Sequence, residues 1–135
     1  MQVRLASIPL ALACLFCGSA VLAGEVAGFT ALSACRIDAE QVLLRASFEG
    51  GACQKVEPAE LGEPDGKTLA VTLPSTRTAE ICTMQIVPIA VEQAIAASGD
   101  IAELDVTALD PDGRDAAHGV VDIGEGDADC VAPQG

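Results

Sequence analysis

Residues 49–91 read EGGACQKVEPAELGEPDGKTLAVTLPSTRTAEICTMQIVPIAV, and the fold turns on six of them, TLAVTL at 68–73. Leu69, Val71 and Leu73 alternate with Thr68, Ala70 and Thr72, the period-two pattern of a β-strand with one buried face. The same alternation recurs on both sides, at Val42, Leu44, Ala46 and Phe48 before it and at Cys82, Met84 and Ile86 after it. Cys53 precedes the central strand and Cys82 follows it. A half-cystine on the apolar face of two different strands predicts a covalent tie between them.

Outward from this stretch, 29–36 (FTALSACR) predicts a weak edge strand and 41–48 the clearest strand of the first half. Glu49-Gly50-Gly51 predicts a tight turn, because paired glycines accept positive φ. Residues 53–56 then form a short strand, and Pro64-Asp65-Gly66 turns the chain into 68–73. A polar connection is expected over 74–80 and a strand over 81–86, with Cys82, Met84 and Ile86 facing inward. Residues 88–98 carry two patterns: proline at the start and glycine at 99 suit a helix, whereas Val87, Ile89 and Val91 alternate. A strand to about Val91 followed by irregular or helical chain to Ser98 is the expectation. Ile101 to Ala108 alternates with Ala102, Leu104, Val106 and Ala108 inward, Asp110-Pro-Asp-Gly113 is a hairpin turn, and 119–123 is the returning strand. Short strands, frequent turns and no long helix predict an all-β fold, an antiparallel β-sandwich.

The first 23 residues are addressed to export. Arg4 is followed by an apolar run over 5–17 and by Val21 and Ala23, small residues where a signal peptidase reads, so cleavage is expected before Gly24. Neither ALAC at 11–14 nor CLFC at 14–17 fits a bacterial lipobox. If left uncut, 5–23 is just long enough to span a bilayer. Removing the leader leaves a single domain over 24–135 with an acidic C-terminal tail. The net charge of −13 becomes −14, because Arg4 leaves and no acid does. Such a surface repels nucleic acid and anionic membrane and suits a protein partner with a basic surface. Contact with membrane is expected only if the N-terminal helix is retained.

Cys14 and Cys17 leave with the signal. Cys35, Cys53, Cys82 and Cys130 remain, an even number consistent with two disulfides in a periplasmic or extracellular compartment. The core lacks Trp and Tyr and has only Phe29 and Phe48 among aromatics, so Val, Ile, Leu and Ala must fill it. Gly51-Ala-Cys53, Thr68-Leu-Ala-Val71, Cys82-Thr-Met, Pro88 and Ile101 to Thr107 together resemble the small secreted bacterial immunoglobulin-like domains of unknown function. The resemblance covers about half the chain and implies an immunoglobulin-like sandwich with Cys53 paired to Cys82, but no activity. Strand phase gives the same pair, since Cys82 shares a face with Met84 and Ile86. Cys35 with Cys130 then follows by exclusion and departs from that family's pattern.

Catalytic chemistry finds little support. The mature chain has one histidine, His118, just after a turn, with no nucleophile elbow near any serine, so a solvated strand-end histidine is expected. Asp110-Pro-Asp112-Gly113-Arg114-Asp115 invites comparison with a calcium loop. Its glycine is fourth rather than sixth, and position twelve is Val121 rather than glutamate. Glu125, Asp127 and Asp129 alternate in the tail without a specific ligand geometry. Paired carboxylates of the glycosidase type lack the aromatic platforms that carbohydrate sites use. Met84 is expected in the core rather than on copper. No catalytic residue, cofactor or metal ligand is assigned. The expected function is a non-enzymatic periplasmic or secreted protein-interaction domain. Its rivals are an accessory subunit of a membrane complex anchored by an uncleaved N-terminal helix, and a secreted protease inhibitor presenting 74–80.

Overall fold

The computed structural model describes residues 26–125. The expected leader, its expected cleavage site and Cys130 therefore lie outside the described residues. Ten strands follow in order: β1 Val26–Ala27, β2 Phe29–Arg36, β3 Gln41–Gly51, β4 Gln54–Val56, β5 Glu60–Leu61, β6 Thr68–Leu73, β7 Ser75–Arg77, β8 Ile86–Ala96, β9 Glu103–Leu109 and β10 Asp115–Gly124. The described chain is all-β, with no helix.

Eight strands join in one sheet: seven form the hydrogen-bonded path β5-β6-β9-β10-β2-β3-β8, and β1 pairs with β10 off that path. β4 and β7 pair separately. β10 carries the path around: its length pairs with β9, and its last two residues, Ile123 and Gly124, pair with Ala34 and Cys35 of β2. The alternation seen in the sequence becomes burial. Val42, Leu44, Ala46 and Phe48 on β3, Leu69, Val71 and Leu73 on β6, and Leu104, Val106 and Ala108 on β9 are all buried and belong to one apolar cluster. Each large aliphatic side chain taken fully out of water there contributes roughly 1.5–3 kcal/mol. Phe29 and Phe48 meet edge to face at 6.0 Å, the arrangement that ring quadrupoles favour.

The sheet is mixed, which corrects the expectation of a purely antiparallel one. β6 runs parallel to β9 from Thr68↔Glu103 to Leu73↔Ala108, and β10 runs parallel to β2. Alternation is the same for either direction, so it could not reveal this. A parallel neighbour needs a long crossover, and the chain between β6 and β9 supplies one by leaving to build β7 and β8.

Other expectations shift. β2 lies between β10 and β3 rather than at an edge. β3 runs straight through Gly50 and Gly51, which pair with Val87 and Ile86, and the turn falls at Ala52 and Cys53. Gly50 has no positive φ; a Cβ there would meet the ends of the Ile89 and Gln54 side chains, which would have to move aside. Residues 75–77, expected as loop, pair with β4. β8 continues as strand to Ala96 because β3 offers an unbroken partner from Gly51 back to Gln41. Ile101 rather than Ala102 is buried, since the Ala102 and Glu103 amides both turn to the Lys67 carbonyl as the chain enters β9.

The largest correction concerns 81–86. Only Ile86 is strand, and Ile81, Met84 and Ile86 are 92%, 101% and 67% exposed. Three alternating apolar positions do not bury themselves without a neighbouring strand. None of the described strands pairs with 79–85, and the segment is held instead by Cys82 bonded to Cys53 in the β3–β4 turn.

Candidate functional site

The Cys53–Cys82 disulfide, with Cα atoms 5.8 Å apart, is present as the sequence predicts, but on a different basis. Neither half sits on an apolar strand face. Cys53 is half-buried in a turn and Cys82 is exposed in a loop. The bond therefore fixes surface rather than core: it holds the loop carrying Ile81 and Met84, which leads into Ile86 of β8, against the end of β3.

The second wall of this region is the β9–β10 hairpin turn. Asp110 organises it, its Oδ1 accepting from the Asp112 amide at 2.9 Å and the Arg114 amide at 3.0 Å. Its own amide donates to the Arg114 carbonyl, and Gly113 adopts φ 86°, a conformation open to glycine at no steric cost. The Asp110 carboxylate is thus used inside the turn, which is the hairpin expected from the sequence. Asp112 reaches across to Arg77 of β7 at 2.7 Å, and Gln54 ties the floor together. Its Oε1 accepts from the Gly51 amide at 3.1 Å, and its Nε2 donates to Ser75 Oγ at 2.9 Å.

Between these walls lies an open groove of about 580 Å³. Its apolar surface comes from Met84, Ile86, Pro111 and the disulfide. Its rim carries four acids, Glu49, Glu80, Asp110 and Asp112, against one arginine, Arg77, which Asp112 already pairs. A surface of this kind can hold an apolar side chain and attract a positive charge beside it. Exposed pairs such as Arg77–Asp112 contribute only about 0–1 kcal/mol to stability, so this one orders the rim more than it stabilises the fold.

The remaining candidates are dispersed. His118 lies within β10 rather than at a strand end, and its Nε2 meets Asp105 Oδ1 at 2.5 Å on a half-exposed face. Cys35 is buried at the end of β2, opposite Gly124. Among the described residues no three His, Cys, Asp or Glu side chains converge as a metal site would require. Sequence reasoning missed three polar organisers. The Arg36 guanidinium donates to the carbonyls of Asp38, Ala97, Ser98 and Ile101 at 2.9–3.2 Å, clamping the β8–β9 connection. Gln54 and Gln93 are the others. Nothing in their spacing marks them, because most of their partners are distant in sequence and are brought close by the fold.

No protein family model, no curated protein and no solved structure matches this chain.

Proposed function

We propose that this chain is an exported, non-enzymatic protein-interaction domain whose partner is a protein with a basic surface and an apolar anchor, received in the groove beside the Cys53–Cys82 bond. One observation carries the reading. Met84, on the loop that a disulfide pins in place, and Ile86, where that loop enters β8, expose large apolar side chains in the groove, beside a rim of four acids and one arginine. Apolar surface rimmed by polar groups marks interaction sites on soluble proteins, and a covalent tie lowers the ordering cost of contact. A disulfide of this kind suits an oxidising compartment, in keeping with the export signal over 1–23. The groove's acidity matches the chain's net charge of −13.

The scaffold in this reading is an immunoglobulin-like sandwich. Its two layers would be β2-β3-β8 and β10-β9-β6-β5, and the neighbours β2-β3-β8 and β10-β9-β6 follow the order of such domains, whereas β5 does not. Residues of both arms enter one apolar cluster, as they would between facing sheets. The parallel run of β6 beside β9 departs from the antiparallel pattern. A second disulfide, Cys35 to Cys130, belongs to the same proposal: Gly124 sits beside Cys35, and six further residues of chain reach at most about 20 Å, ample to return to it.

The test is site-directed photo-crosslinking in the native host. A crosslinking amino acid at position 84 of the full chain is expected to yield a defined adduct that high salt suppresses. The same group at Thr30, on the surface of β2, is expected to yield none. Equal labelling from both positions, or no adduct at 84, overturns the reading.

A further inference from the structure

The groove adjoins a second cavity, a slot between β4 and β8, with Gln54 in the lining of both. Register and backbone bonding show which groups face it. The Ala97 amide donates to the Glu40 carbonyl in register with the β3–β8 ladder, so odd-numbered residues of β8 point their backbone groups at β3 and even-numbered ones point away. Pro88, which has no N–H to give, falls in the outward set. In β4, the Cys53 carbonyl accepts from Thr78, and just beyond it the Glu57 amide donates to Pro74, so Cys53, Lys55 and the Glu57 amide face β7 while Gln54 and Val56 face away. The outward backbone groups of Ala90 and Glu92, and those of Gln54 and Val56, have no hydrogen-bond partner among the described residues.

These two free edges line one cavity of about 340 Å³, with Gln54, Lys55 and Val56 along one wall and Ile89 to Gln93 along the other. At its far end the Gln93 side chain spans the gap. Its Oε1 accepts from the Ala59 amide at 2.8 Å, and its Nε2 donates to the Glu57 carbonyl at 3.1 Å. That carboxamide does there what a peptide group of an intervening strand would do. At the near end Gln54 lines both the slot and the groove that carries Met84.

We propose that the slot takes one extended segment of the partner protein, which adds as a strand to β8 and presents its other edge to β4. This rests on the interaction reading and deepens it: recognition is through main-chain bonds in the slot, with side-chain and charge selection at the groove mouth. Pro88 guards the start of the β8 edge, but beyond it the edge carries no lysine and pairs with β3 without a bulge. Glu92 is drawn sideways to Arg45 at 3.0 Å, and Ala90 offers no bulk. A second copy of this chain fits poorly, since each copy carries a net charge of −13. The acidic rim selects a segment with basic residues flanking its strand.

The probe is a phage-displayed random dodecapeptide library panned on the full chain, with the enriched peptides resynthesised. Ala90→Pro removes one outward N–H at the phase where Pro88 is already accommodated, so it is expected to weaken binding at least tenfold while Ala90→Ser leaves it unchanged. Amide exchange in the wild-type chain, which needs no variant to fold, is expected to be fast at Ala90 and Glu92 and to slow when the peptide binds. Peptides that bind Ala90→Pro as tightly, or leave those amides unprotected, overturn the strand-addition proposal. A peptide requirement for Met84 alone would still support the groove. Failure to enrich any peptide also overturns the slot, and the crosslink at position 84 then decides the broader reading by itself. A dimer abolished by Ala90→Pro would overturn the choice of a foreign segment.

Discussion

Removing the Cys53–Cys82 bond tests whether this disulfide acts on the surface or in the core. The two cysteines are 29 residues apart, and closing a loop of about 30 residues lowers the entropy of the unfolded chain by an amount worth about 3.6 kcal/mol at 25 °C. A core cystine would add packing: large-to-small changes in a core cost about 2–5 kcal/mol, and a serine hydroxyl left unpaired there about 1–3 kcal/mol more. Here Cys82 is exposed and Cys53 half-buried, so neither extra cost applies. Cys53→Ala/Cys82→Ala and Cys53→Ser/Cys82→Ser are therefore expected to lose the same stability, about 3–4 kcal/mol, agreeing within about 0.5 kcal/mol. Urea unfolding followed by far-UV circular dichroism measures both, and the core strands β3 and β9 should retain their signal. A serine pair worse than the alanine pair by more than about 1.5 kcal/mol would mean that the site is buried after all. A loss below about 1 kcal/mol in both would refute the loop-closure reasoning. Because native domains are stable by only about 5–15 kcal/mol, either double variant should still fold at room temperature.

Four further outcomes can be measured. Leu104→Ala, at a fully buried position on β9, should cost about 3–4 kcal/mol, whereas Met84→Ala should change stability by less than about 0.5 kcal/mol; equal effects in thermal unfolding would contradict the assigned burial. Gly28→Ala, at φ 88° with its Cβ 2.7 Å from the Ala116 carbonyl oxygen, should cost about 2–3 kcal/mol, more than Gly113→Ala, whose Cβ meets nothing within 4 Å and which should cost about 1 kcal/mol. Arg36→Ala frees four carbonyls of the β3 approach and the β8–β9 connection; a loss of about 2–3 kcal/mol together with faster amide exchange at 97–101 is expected, and unchanged exchange there would show that the clamp is idle. Partner binding should weaken steeply with salt, since the groove's acids are screened over about 8 Å at physiological ionic strength; affinity flat from low to high salt would assign the acidity to solubility alone.

The strands of the core were legible in the sequence because burial on one face writes itself as alternation. At 42–48, 68–73 and 104–108 the apolar phase and the buried phase coincide. The Asp110–Gly113 turn was legible for a similar reason, as its side-chain and φ requirements are local. The same rule failed at Cys82, Met84 and Ile86, where alternation exists but no neighbouring strand covers it, and burial depends on having a neighbour. The disulfide pair was read correctly from a mistaken premise, since the two sulfurs meet between a turn and a loop rather than between two strand faces. Strand direction, the path through β10, and the roles of Arg36, Gln54 and Gln93 left no local trace. Each depends on groups distant in sequence, so only tertiary structure could decide them. Chain order and composition determined an acidic, cysteine-bearing, all-β domain; the packing of the chain decided which apolar residues it would hide and which, at the groove, it would leave in water.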